Sequence, residues 1–186
     1  MLFGEGRRRL MRILMILISD AETRHPTPPP VLRFERFLAP YYLFHDAGAE
    51  IVLASLAGGD PAMRTASGER SDASPIMQRF LADQVAREAL IDTVGLDQVE
   101  ADDFDGAYCI GVSGGIWPPN ADNPAAAMIG RLLTSGKPVA VIPSQVDLDP
   151  NGVGQGLLIA GDQTLASNQA AHALLAVVRM AATTAY

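Results

Sequence analysis

Short apolar runs alternate along the chain with longer stretches in which apolar residues recur every three or four positions. The run Ile13-Leu14-Met15-Ile16-Leu17-Ile18 lies between Arg12 and Ser19-Asp20. A run of that length between polar residues predicts a strand buried on both faces. Residues 50–55, 105–110 and 138–142 read the same way, and 156–160 as a fifth strand. Phe34, Phe37, Leu38, Tyr41 and Tyr42 recur at helical spacing up to Ala47-Gly48, a helix stop. Pro40 inside that pattern predicts a kink or a break. Residues 75–81 and 82–93 read as helical. The second of these carries Val85, Ala89, Leu90 and Val94 along one face and Arg87 and Glu88 on the other. Pro124 opens a small-residue helix that stops at Ser135-Gly136. Ser167 is expected to cap a long C-terminal helix rich in Ala, Leu and Val. Residues 20–30 read as loop, and Gly58-Gly59-Asp60-Pro61 opens a polar stretch to Ser74 that reads as loop too.

Strands alternating with helices predict an α/β fold, a doubly wound and mostly parallel sheet with helices on both faces and right-handed crossovers. In such sheets ligands sit outside the carboxyl ends of the strands. Three turns are therefore expected to gather on one edge: 19–30, 110–119 and 143–149. A single domain is expected over 12–186, preceded by an N-terminal tail, 1–11, that carries Arg7-Arg8-Arg9.

Composition narrows the partners. The chain has 186 residues, 48% hydrophobic and 19% charged, which suits one well-filled core. A formal net charge of −7 argues against a nucleic-acid or anionic-membrane partner, since phosphate binding needs a basic footprint. No segment approaches the ~20 apolar residues of a membrane span, and the run 13–18 lacks the cleavage pattern of a signal peptide. The expectation is a soluble, cytoplasmic protein. One cysteine, Cys109, precludes an intrachain disulfide or a cysteine zinc cage. His25, His45 and His172 show no metal-ligand spacing. No metal and no cofactor is implied.

Several stretches together resemble the ThiJ/PfpI superfamily, also called the Parkinson-associated deglycase superfamily, in its chaperone/glyoxalase-like branch. They are Arg12-Ile13-Leu14-Met15-Ile16-Leu17, Phe37-Leu38-Ala39-Pro40-Tyr41-Tyr42, Asp46-Ala47-Gly48-Ala49-Glu50, Arg79-Phe80-Leu81-Ala82-Asp83, Asp102-Asp103-Phe104-Asp105-Gly106-Ala107, Gly136-Lys137-Pro138-Val139-Ala140 and the closing strand and helix from Leu158. The resemblance runs from Arg12 to the end. It implies a flavodoxin-like sheet of the class I glutamine-amidotransferase type, and a homodimer.

The same correspondence exposes departures. The cysteine that the resemblance implies after a segment like 137–142 is replaced by Pro143, and the histidine that follows it by Ser144. The acidic partner, four residues before Pro40, is replaced by Arg36, with Glu35 one position earlier. The family's Pro-Gly-Gly-His-Gly turn becomes Ile110-Gly111-Val112-Ser113-Gly114, and the chain is shorter around 149–152. Proline has φ fixed near −65° and no N–H, so Pro143 cannot form a strained nucleophile elbow.

Candidate residues follow from these departures. Cys109, in a strand interior, reads as an inert core thiol. Ser144 is a displaced-nucleophile candidate against the simpler reading of a turn or capping serine. Asp147 is the acid–base candidate nearest to it. Arg36 cannot be a base, yet its guanidinium can grip a carboxylate or phosphate. Glu35 could carry acid–base chemistry only if the helix register differs, because neighbouring helix positions diverge by about 100°. Gly111, Ser113 and Gly114 can present backbone N–H groups to an anion. Trp117, Pro143 and Gln145 are expected to line the pocket wall, and His25 lies on a loop at the strand ends. The reading is a divergent relative without Cys-His-Glu chemistry that binds a small anionic or carbonyl metabolite. An enzyme with re-specified acid–base chemistry (a hydratase, lyase or glyoxalase-like step) and a structural subunit pairing with an active relative are the alternatives.

Overall fold

The apolar runs form the middle of a seven-stranded sheet in the computed structural model, which describes residues 10–18, 32–63, 74–111, 124–142, 156, 158–160 and 164–184. In chain order the strands are β1 (Arg12–Leu17), β2 (Glu50–Ser55), β3 (Ala57–Gly59), β4 (Thr93–Gly95), β5 (Gly106–Ile110), β6 (Val139–Ile142) and β7 (Leu158–Ala160). Their spatial order is β3-β4-β2-β1-β5-β6-β7. Every neighbouring pair is parallel except the edge pair β3/β4. The central strands are covered on both sides, which is why β1, β5 and β6 are continuous apolar runs without alternation.

Two helical layers cover the faces. Ile13, Met15, Leu17, Tyr108, Ile110, Ala140 and Ile142 face α1 (Phe34–Asp46), α2 (Pro75–Ala82), α3 (Gln84–Ile91) and α5 (Thr164–Thr184). Leu14, Ile16, Ala107, Cys109, Val139 and Val141 pack on the other side with α4 (Pro124–Thr134). Phe37 sits at the heart of the first layer, with ring centroids 5.2 Å from Tyr41 and 6.2 Å from Phe80, and so ties α1 to α2. Gly48 and Gly136 end α1 and α4 at φ of +78° and +72°, the left-handed geometry in which glycine closes a helix without a Cβ penalty.

Four expectations need correction. Residues 82–93 are not one helix: Asp83 breaks it, accepting the Ala86 N–H at 3.0 Å and so starting α3 afresh. The restart rotates the helix, so that Ala86 and Leu90 are buried while Val85 is 75% exposed, and Thr93 and Val94 leave it for β4. The expected loop from Gly58 begins instead as the antiparallel edge strand β3, where Gly58 lies against the β4 backbone at a φ of +82°. Ser167 is no cap. It lies inside α5, whose first residue is Thr164, and is wholly buried. The helix α1 also runs through Pro40 without ending.

Asp83 offers a test of the α2–α3 junction. Its carboxylate also accepts the Tyr42 hydroxyl at 3.1 Å. The Ala86 N–H, chiefly, holds its pKa below the usual range. Asp83→Ala is expected to lower stability by about 1 kcal/mol, as loss of a capping side chain does. Because the folded-state pKa is depressed, that stabilisation is present above the unfolded value of about 3.9 and fades as pH falls below it. The gap in urea midpoint between wild type and Asp83→Ala should therefore narrow from pH 6 to pH 2. A gap that widened in acid would contradict the cap.

Candidate functional site

Parallel register brings the strand ends together. The Ile18 N–H donates to the Ile110 carbonyl at 2.9 Å, and the Gly111 N–H donates to the Ile142 carbonyl at 2.6 Å. The ends of β1, β5 and β6 thus form one continuous edge, as the alternation of strands and helices implied. A helix following a parallel strand begins at that edge, so the first turns of α1 and α5 lie over it. Arg36 and Glu35 belong to the first turn of α1, and Ser167 and Asn168 to the start of α5.

Arg36 is half-buried, and its Nε is withdrawn from solvent with no hydrogen-bond partner. It has no ion-pair partner among the described residues. Glu35 is also half-buried, with Oε2 out of contact with water. Gly111 spends its N–H on the Ile142 carbonyl, so this amide belongs to the sheet and is not a donor for an anion. His25, Ser113, Gly114, Trp117, Pro143, Ser144, Gln145 and Asp147 lie outside the described residues. So do residues 1–9 of the tail 1–11 and the expected relaxed turn at Pro143.

Beneath Arg36 lies a buried polar cluster that sequence reasoning missed. The Tyr108 hydroxyl is 2.6 Å from Ser167 Oγ and 2.9 Å from the Ser167 carbonyl. Ser167 Oγ in turn reaches the Arg36 carbonyl at 3.3 Å. Burial raises the Tyr108 pKa above its ordinary value, against the opposing pull of the Ser167 hydrogen bond and the positive charge of Arg36. Pro40 was the available signal. A proline removes the donor to the carbonyl four residues earlier, and here that carbonyl belongs to Arg36.

Cys109 points into the α4 face of the sheet, fully buried, and burial pushes its thiol pKa up to about 12. His45 and His172 are exposed. No group of three or more potential metal ligands occurs among the described residues. Nor is any helix among them long and apolar enough to cross a membrane.

Two grooves lie away from the strand ends. One of about 470 Å³ runs between Ala101 and α4, flanked by Glu100 and Arg131, which pair at 3.6 Å. The other, of about 310 Å³, lies between α1, α2 and α5. Its arginine, Arg79, is already held by Asp46 at 2.5 and 2.7 Å and stacked 3.9 Å over the Tyr42 ring. Neither groove offers an uncommitted cation.

No protein-family model matches the sequence, and no curated protein matches it. Solved structures do match. The Rapid Encystment Protein of 24 kDa from Francisella tularensis superposes with a TM-score of 0.65 at 15% identity, over 91% of this chain and 99% of that one. Glyoxalase III from Candida albicans gives 0.60 at 12% identity, over 89% and 96%. A ThiJ/PfpI domain protein from Brachyspira murdochii gives 0.58 at 16% identity, over 92% and 98%. At these identities the likeness is one of architecture, and it extends over nearly the whole length of each partner. The chain has the fold of the ThiJ/PfpI domain structures.

Proposed function

We propose that this protein binds a small anionic or carbonyl metabolite at the carboxyl edge of its sheet, without the cysteine chemistry that the family resemblance would imply. The observation that carries this is Arg36. A guanidinium whose Nε is shielded from water and unpartnered is costly unless a ligand completes its hydrogen bonds. Its flat fork suits a carboxylate or phosphate. It stands where the resemblance places a proton-accepting acid, so the site has exchanged a base for an anion holder. Pro143 and Ser144, in place of a cysteine and a histidine, agree with that reading.

Pyruvate combines a carboxylate with a carbonyl and serves as the probe. Titrated into ¹⁵N-labelled protein, it should saturably shift the amides of Ile18, Ile110 and Gly111. Arg36→Ala should weaken binding about tenfold or more, the usual effect of losing a charge-assisted hydrogen bond. Equal affinity in wild type and Arg36→Ala, for pyruvate and for inorganic phosphate alike, would remove the proposal.

The same reading predicts the outcome of restoring a thiol. Pro143→Cys alone should not turn over methylglyoxal, because Arg36 still fills the place of the acid. Only the pair Pro143→Cys with Arg36→Glu has the elements of that chemistry. Activity from the single substitution would show that an acid is supplied from elsewhere.

A further inference from the structure

We infer that Tyr108 and Ser167 are positioning residues for Arg36, holding the first turn of α1 through the backbone carbonyl that Pro40 deprives of its helical donor. This rests on the reading of Arg36 as an anion-binding residue. In an α-helix the carbonyl of residue 36 accepts from the N–H of residue 40. Proline has no such N–H, and its ring crowds that same carbonyl. A helix interrupted in this way would let its first turn, and the Arg36 side chain on it, move independently of the rest.

The replacement donor comes from 131 residues away in sequence. Ser167 Oγ lies 3.3 Å from the Arg36 carbonyl and 2.6 Å from the Tyr108 hydroxyl. Both side chains are fully buried, so solvent does not compete for their protons. One proton on each hydroxyl makes the two directions interdependent. Ser167 has a single hydroxyl proton, and its Oγ is placed to donate it to the Arg36 carbonyl, which Pro40 leaves without its helical N–H donor. With the serine donating to Arg36, the tyrosine donates into Ser167, where the carbonyl accepts at 2.9 Å and Oγ lies within reach. Burial keeps the phenol protonated across the physiological range, so the relay does not switch with pH. Tyr108 is anchored in β5 between β1 and β6. A strand paired on both sides thus sets the height of Arg36 above the ligand edge.

The test measures two quantities: the Kd for pyruvate, and the hydrogen-exchange rate of the Arg36 Nε–H by NMR. The variants are Ser167→Ala, Tyr108→Phe, Pro40→Ala and the double variant Pro40→Ala/Ser167→Ala. Ser167→Ala should weaken pyruvate about fivefold, the effect of one hydrogen bond, and should speed Nε–H exchange. Tyr108→Phe, which preserves volume and protects the test if Ser167→Ala folds poorly, should move both in the same direction by less. Pro40→Ala restores the N–H, so Ser167→Ala should change Kd less than about twofold in that background. A Ser167→Ala variant with a lowered Tm but unaltered Kd and exchange would overturn the inference, as would equal losses in both backgrounds. The two readings fail separately. If no anion binds wild type, yet exchange rises in Ser167→Ala and recovers with Pro40→Ala, the positioning stands and the anion site falls. If Arg36→Ala abolishes binding while Ser167→Ala changes nothing, the reverse holds.

Discussion

Cys109 is expected to react with a small disulfide reagent about 10³-fold more slowly than an exposed thiol at pH 7, and only at the rate at which the sheet opens. The thiolate is the nucleophile, and an ordinary thiol with a pKa near 8.5 is a few per cent ionised at neutral pH. Burial pushes Cys109 up to about 12, which leaves roughly 10⁻⁵ of it ionised. Access is closed as well. The residue has no exposed surface, pairs in register with Ile16 and Val141, and packs in the layer that α4 covers. The check is a stopped-flow or manual thiol titration in native buffer, with the same reagent in 6 M guanidinium as the unfolded reference. A rapid native reaction would mean that the β5 face is open. Cys109→Ala should leave any turnover of methylglyoxal unchanged. A rate that vanished in a folded Cys109→Ala variant would place a working thiol in β5 and end the reading of a chain without cysteine chemistry.

Gly156→Ala is expected to destabilise the protein by about 2–3 kcal/mol, and Gly156→Val by more, through overpacking. At this length that corresponds to a fall in Tm of about 4–12 °C. A Cβ built at 156 would lie 2.5 Å from Leu133 Cα and 2.7 Å from the Leu133 carbonyl oxygen. These are backbone atoms near the end of a packed helix, so no side-chain rotation relieves the clash. Either the chain leading to β7 or the end of α4 must shift. Leu133 is 1% exposed and embedded in the α4 layer, which leaves it little room. Differential scanning calorimetry of wild type and both variants decides the matter. Full stability in Gly156→Val would show that residue 156 does not approach α4 as described. The same substitutions at Gly130, where a Cβ meets nothing within 4 Å, serve as the control.

The two experiments also separate what can be read from local pattern and what cannot. Cys109 was legible as a core residue because its neighbours in the run are apolar on both sides. Gly156 was legible only as the start of a strand. Its need for glycine comes from the Leu133 backbone, and no local pattern announces a contact between elements distant in sequence. The break at Asp83 was hidden in the same way. Its residue types fit one helix from 82 onward, and the rotation that buries Ala86 and Leu90 follows from a side chain accepting the Ala86 N–H. The short edge strands β3 and β4 carry too few residues for alternation to appear, and they exist because they pair with each other and with β2.

By itself the sequence determined the parallel α/β architecture, since runs buried on both faces must be continuously apolar and helices between them must be amphipathic. It also determined that the three central strand ends share an edge. Only the tertiary structure decided what Arg36 is built on. Pro40 implied a carbonyl lacking its donor, but the donor, Ser167, read as an ordinary helix cap. Its hydroxyl acquires its role because α5 folds back over β5 and meets α1 there, with Tyr108 beneath. Hydrogen-bond satisfaction in a core is settled among groups brought together by packing, and packing is a property of the whole chain.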